Sequence, residues 1–260
     1  MTQAVLFEKK GPVAEMILNR PDDMNAMNID LIEGLMAAIE KCRDPEVKAV
    51  VLKGNGKCFC AGGDIKFFKQ MIDDNKLDSG FVPDRLHEMV ENLRSLEKPV
   101  LASVHGPAAG AGAPLALACD LVMASDDSVF NFAYARIGLT PDGGSTFFLP
   151  RHVGAKKTAE IFMLGTTLKA NEAKDFGLIN WVVPANELKT KTDEMALKLA
   201  LGPTKAFGRL KKLLDATHSH GLHEHLAMET KMVSAAARDE DFKEGVISFL
   251  EKRSPKFLGK

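Results

Sequence analysis

The chain has 260 residues, 45% of them hydrophobic and 27% charged, with 34 Lys and Arg against 35 Asp and Glu for a net charge of -1. Those proportions exclude a disordered, collagenous or membrane-embedded chain, and a length of this order buries roughly 70–75% of its unfolded surface without disulfide or metal staples. The balanced charge excludes a general affinity for nucleic-acid backbones or anionic membrane surfaces.

The first twenty residues read as two strands, AVLFEKK and VAEMILN, around a Gly11-Pro12 turn. Residues 28–42 carry Ile29, Ile32, Leu35, Met36 and Ile39 at helical spacing, with Asn28 as N-cap. AVVLKG, PVLASV and DLVMAS (49–54, 99–104 and 120–125) are short continuous apolar runs, the mark of strands buried on both faces. Residues 86–96 read as a further helix. The alternation predicts an α/β core with mostly parallel strands and crossover helices. Beyond Trp181-Val182-Val183-Pro184 the strand signals stop, and residues 186–250 read as helices broken at Gly202-Pro203 and around Gly221.

No signal-peptide pattern opens the sequence, and no apolar stretch approaches the roughly 20 residues of a membrane helix, so a cytoplasmic location is expected. Cys42, Cys58, Cys60 and Cys119 have neither zinc-type spacing nor a low-strain pairing in sequence, which predicts four reduced thiols. The histidines of THSHGLHEHL (His218, His220, His223, His225) are interrupted by Gly221, and no functional metal is expected there. Ser145 lacks the GxSxG elbow of a serine nucleophile.

Three glycine-rich breaks are candidates for chemistry. They are Gly54-Asn55-Gly56 with Cys60-Ala61-Gly62-Gly63-Asp64, then residues 105–113 (HGPAAGAGA), then residues 138–144 (GLTPDGG). Small residues let backbone N–H groups approach a ligand, and two such groups aimed at one point form an oxyanion site. On pattern alone, tight packing and nucleotide binding both remain open.

Taken together, VVLKGNGKCFCAGGDI, KPVLASVHGPAAGAGAPLALACD, IGLTPDGGSTFFLPRHVG, LGTTLKANEAKDFGLINWVVP and EGVISFLEKRSPKF resemble the enoyl-CoA hydratase/isomerase (crotonase) superfamily over nearly the whole chain. AAGAGA, the PDGG block and the ending RDEDFKEGVISFLEKRSPKFLGK most resemble its ring-1,2-epoxyphenylacetyl-CoA isomerase and Δ3,Δ2-enoyl-CoA isomerase branch. The resemblance implies an α/β, crotonase-like spiral of ββα units. Residues 1–200 would form the acyl-CoA-binding core, and residues 201–260 a helical region that packs homotrimers, often paired into hexamers. It implies an acyl-CoA thioester as substrate, with no cofactor beyond that coenzyme A. The thioester carbonyl would be held by the N–H groups of Gly63 and Ala111. Coenzyme A would lie near Ala61, Asp64, Ile65 and Lys66, with Phe249 and Lys252 of the last helix, from the same or a neighbouring subunit.

Hydratases of the family place two glutamates where this chain has Pro114 and Tyr134, so hydration is not the expected reaction. Asp142 is the carboxylate left in the right block, and the resemblance makes it the single acid–base of a double-bond isomerase. Ringed by Pro141, Phe132 and Phe147, it is expected to have a raised pKa. Tyr134 is expected to bond the base, shape the acyl pocket or sit in the core. Asp64 is expected to cap a helix beginning at Ile65, and Asp120 to be structural. Phe67, Phe68, Met71 and Phe81 are candidates for the acyl tunnel, and the acidic stretch from Asp73 to Pro83 for a loop over it. A hydratase working through Asp142, a catalytically weak acyl-CoA binder and a thioesterase are the rival readings.

Overall fold

The computed structural model describes residues 3–76 and 81–260. Strands β1 (Val5–Lys10) and β2 (Val13–Leu18) form an antiparallel hairpin, and Gly11 takes the positive φ of +60° that the turn needs. Parallel strands then extend the sheet: β3 (Ala49–Gly54), β4 (Val100–Val104), β6 (Leu121–Ser125) and β9 (Trp181–Val183), in the order β1-β2-β3-β4-β6-β9. A second sheet holds β5 (Pro107–Ala109), β7 (Val129–Asn131) and β8 (Thr167–Lys169), and Cys60 bridges in parallel to Ala108 beside it. Each turn of chain therefore lays one strand on the large sheet, one short segment on the small sheet, and a helix. This is the expected spiral of ββα units.

Both faces of the large sheet are covered, which is why its strands read as continuous apolar runs. On one face, Val50 and Leu52 pack with α1 (Ile29–Lys41) and α3 (Phe81–Ser95) through Leu31, Ile32, Leu35, Met89 and Leu93. On the other, Ala49, Val51, Leu101 and Met123 meet Leu188, Ala196 and Ala200 of α7 (Leu188–Ala200). Asn28 caps α1 by accepting from Leu31 N–H at 3.0 Å. Asp64 caps α2 (Ile65–Asp73) by accepting from Lys66 and Phe67 N–H. All four cysteines are free and buried. Of the stretch expected to form a loop over the pocket, Asp73 ends α2; residues 77–80 and the Phe81 side chain lie outside the described residues.

The chain turns at residues 201–203 into α8 (Thr204–Ala216), α9 (Leu222–Ala236) and α10 (Glu240–Leu250). Helix α8 is seated on the core by charge and by close approach. Buried Lys211 meets Asp120 at 2.8 Å and donates to the Lys98 carbonyl at 3.0 Å, while Arg94 binds both Asp120 and Asp215. A Cβ on Gly208 would lie 2.5 Å from the Glu97 carbonyl oxygen, so only glycine allows this seating. Helices α9 and α10 instead leave apolar side chains in solvent, among them Leu222, Val233 and Phe249.

Asp120 accepts from Lys211, Arg94 and the Val100 N–H, the structural role expected of it. Asp120→Ala leaves Lys211 buried without a counter-charge and is expected to destabilise the protein by about 3 kcal/mol, measured by urea unfolding.

Candidate active site

Two backbone segments at the ends of β3 and β4 interlock. Cys60 N–H donates to the Pro107 carbonyl at 3.2 Å, and Ala109 N–H returns a bond to the Cys60 carbonyl at 2.9 Å. The glycines make the approach possible. A Cβ on Gly112 would lie 2.5 Å from the Cys60 carbonyl oxygen, and one on Gly62, where φ is +102°, 2.8 Å from that of Ala109. Met27 straps the first segment by donating to the Gly62 carbonyl at 2.6 Å and accepting from Asp64 N–H at 2.9 Å. Among the described residues neither the Gly63 nor the Ala111 N–H has an acceptor. Ala111 is the N-cap of α4 (Gly112–Leu117), where first-turn donors are free and the helix dipole is positive. The Phe68 ring covers Gly63 so closely that a Cβ there would lie 2.7 Å away.

Asp142 stands on the loop between a 3-10 turn (Ala133–Ile137) and α5 (Ser145–Leu164). The Tyr134 hydroxyl donates to its Oδ1 at 2.9 Å, and the Ser145 hydroxyl donates to its backbone carbonyl at 2.7 Å. Ser145 is fully buried in that bond, as a loop anchor and not as a nucleophile. Burial pushes the Asp142 carboxyl above the usual carboxylate range, against the lowering effect of the Tyr134 hydrogen bond and of the neighbouring His87. Burial and the Asp142 charge together push the Tyr134 phenol up, so it stays a donor. A Cβ on Gly143 (φ +59°) would lie 3.3 Å from the Pro114 ring, which brings α4 against this loop. Pro114 follows Ala111 by three residues, about 4.5 Å along a helix axis.

A cavity of about 760 Å³ opens at Asp142. Pro141, Phe147 and Phe148 line its near side with His87, and Arg94, Glu97, Lys211 and Asp215 of α3, α8 and their flanks line the far side. Gly63 and Ala111 are not in its wall; Pro114, three residues beyond Ala111, lies against Gly143 beside Asp142. The expected aromatic ring of the site needs correction. Phe132 is fully buried in the core, edge-on to Phe162 at 5.5 Å, and Phe148 takes the place expected for it. His87 was not foreseen. Its Nε2 accepts from Gly143 N–H at 3.4 Å, and a lone histidine in the helix Leu86-Met89-Val90-Leu93 gives no periodic signal of its own.

The residues expected at coenzyme A separate into two places. Ala61, Ile65 and Lys66 lie together at the start of α2, with Ile65 and Lys66 exposed. Lys66 is held at 2.9 Å by Asp23, which also takes Arg20 at 3.0 Å, so Asp23 competes with any phosphate for these cations. The Asp64 carboxylate caps α2, as expected, and also binds Arg20 at 2.8 Å, with 7% of its surface exposed. Phe249 and exposed Lys252 are not brought to this place by their own chain. Phe249, 83% exposed, borders a separate apolar groove with Pro203, Phe242 and Phe257. Among the described residues no cluster of three or more His, Cys, Asp or Glu is arranged for a metal, and of the THSHGLHEHL histidines only the His220 and His225 rings approach, at 6.2 Å. No helix is long and apolar enough to cross a membrane among the residues described.

The sequence pattern described as Enoyl-CoA hydratase/isomerase matches residues 8–260. This chain belongs to that family. A probable enoyl-CoA hydratase of Rhodobacter capsulatus is 37% identical over 98% of each chain. The 1,2-epoxyphenylacetyl-CoA isomerase of Escherichia coli is 34% identical over 100% of each. The crystal structure of an enoyl-CoA hydratase from Polaromonas superposes with a TM-score of 0.93 at 31% identity, covering 97% of this chain and 99% of that one. The protein is therefore a crotonase-superfamily acyl-CoA enzyme, with relatives named for both hydration and isomerisation.

Chemically, the arrangement offers two backbone N–H groups without acceptors among the described residues and one carboxyl that resists ionisation. The sign of its linkage to stability follows. A carboxyl with a raised folded-state pKa binds its proton more tightly folded than unfolded, so it favours folding at low pH and opposes it as pH rises through the folded value. Asp142→Asn is expected to unfold at higher denaturant than wild type at pH 8. The gain should shrink toward pH 4 as the wild-type carboxyl protonates, measured by urea titration at each pH.

Proposed function

We propose that this enzyme moves the double bond of a 3-enoyl-CoA to the 2-position. The observation that carries the reading is the half-buried Asp142 carboxyl, held by Tyr134, on a loop whose Gly143 packs against the first turn of α4, where Pro114 stands instead of an acid. In this reading the thioester oxygen accepts from Gly63 and Ala111 N–H. Asp142 takes a proton from C2, the charge spreads onto the thioester oxygen as a dienolate, and the same carboxyl returns the proton at C4. Atoms and charge balance without water or a cofactor. Fixed donors of this kind typically lower the barrier by about 2.7–4 kcal/mol each. Pro114 and Tyr134 supply no second carboxylate to activate a water, which speaks against hydration at these positions.

Coenzyme A would enter as part of the substrate along Ala61, Ile65 and Lys66. The apolar faces left exposed on α9 and α10 support assembly through the C-terminal helices into homotrimers or paired trimers, in which Phe249 and Lys252 would serve a neighbouring subunit. A cytoplasmic location fits the reduced cysteines. Hydration through Asp142 is the second reading, favoured by the R. capsulatus relative's name.

Purified enzyme with 3-hexenoyl-CoA is expected to generate conjugated enoyl absorbance, with crotonyl-CoA left unhydrated. Asp142→Asn should lower the rate by about 10²–10⁴-fold. Hydration of crotonyl-CoA at a comparable rate would replace the reading with a hydratase, and binding of acyl-CoA without turnover would replace it with a binder.

A further inference from the structure

We propose that His87 is a positioning residue for Asp142, holding the Gly143 peptide through its Nε2 and altering the surroundings of the carboxyl when the imidazole gains a proton. The inference deepens the isomerase reading and rests on Asp142 being its acid–base.

Three observations carry it. Leu86, its buried neighbour on α3, would stand 3.7 Å from a Cβ on Gly143, so this turn of α3 is packed against the aspartate loop. His87 Nε2 accepts from Gly143 N–H at 3.4 Å, next to the residue whose carboxyl faces the cavity. His87 and Asp142 both line that cavity. Accepting at Nε2 requires a free lone pair there, hence the neutral ring with its hydrogen on Nδ1. A proton arriving at Nε2 removes the Gly143 bond and sets a positive charge beside Asp142, which has no ion-pair partner among the described residues. One event thus changes both the tether of the loop and the field on the carboxyl.

The charged groups around His87 are mostly spoken for. On α3, Arg85 binds Glu88, and it also binds Glu33 from α1. On the α8 side, Lys211 binds Asp120, Lys212 binds Glu97 and Asp215 binds Arg94. From α5, Arg151 lies over the Phe147 ring with its guanidinium 3.4 Å from the centroid. Asp84 and Glu91 remain, about one helical turn to either side of His87 on α3, with no ion pair among the described residues.

The test uses His87→Gln, whose side-chain oxygen can still accept from Gly143 N–H but cannot acquire charge, beside His87→Ala. Two readouts are taken: the pH profile of kcat on 3-hexenoyl-CoA, and a carbon-13 titration of the Asp142 carboxyl in the free enzyme, assigned against Asp142→Asn. With Gln, KM is expected to hold within about twofold, while the acid limb and the carboxyl titration both move to higher pH, since the charge that favoured the carboxylate is gone. A shift of one unit lowers the rate at the acid end by about tenfold. With Ala, kcat is expected to fall at all pH values as the loop loses its tether. Superimposable profiles and an unmoved carboxyl titration in His87→Gln would overturn the proposal and leave His87 a packing residue. If the wild type turns over no 3-enoyl-CoA, the isomerase reading fails on that assay, and the carboxyl titration alone decides whether His87 acts on Asp142.

Discussion

The site depends on two stretches of backbone approaching more closely than side chains permit. Residues 60–63 and 107–112 exchange hydrogen bonds at the ends of adjacent parallel strands, with Gly62 and Gly112 at points where a Cβ would collide with a carbonyl oxygen. The parallel sheet fixes the two strand ends, the bridge between Cys60 and Ala108 fixes the loops, and among the described residues the Gly63 and Ala111 N–H groups have no acceptor. Donors held this way do not have to reorganise when charge develops in front of them. Side chains offering the same hydrogen bonds would carry rotamer freedom that must be lost at each turnover.

The Asp142 carboxyl is placed by a different economy. Its loop has little regular structure, and three local bonds substitute for it: the Ser145 hydroxyl to the Asp142 carbonyl, Tyr134 to Oδ1, and Gly143 N–H to His87. Two of the three come from outside the loop's own turn, one from the preceding 3-10 segment and one from α3. Burial opposes ionisation of the carboxyl while the Tyr134 hydrogen bond favours it, so its proton affinity is a balance between packing and polar contacts.

Much of this was legible in the sequence. The continuous apolar strands and the caps at Asn28 and Asp64 follow from period and cap chemistry and stand in the structure, while Asp142 was singled out by the family pattern alone. Strands β5, β7 and β8 gave no signal because three residues are too few to show a period of two. Phe132 was expected beside Asp142 with Pro141 and Phe147, yet alternation along the β7 extension turns it into the core against Phe162. His87 was invisible for the opposite reason. It lies 55 residues before Asp142, and only tertiary packing of α3 on the loop brings it there.

The far wall of the 760 Å³ cavity has a consequence of its own. It is built by α3 and α8, through ion pairs such as Lys212 with Glu97 and Arg94 with Asp215, and none of these residues takes part in the oxyanion donors or in the hold on Asp142. Only His87, nearer the start of α3, belongs both to the chamber wall and to the hold on the Asp142 loop. Substitutions at Arg94, Glu97, Lys212 or Asp215 would therefore redraw the shape and polarity of the chamber while the bonds to that loop stay in place. The size of the chamber thus follows how firmly one helix of the C-terminal region is seated.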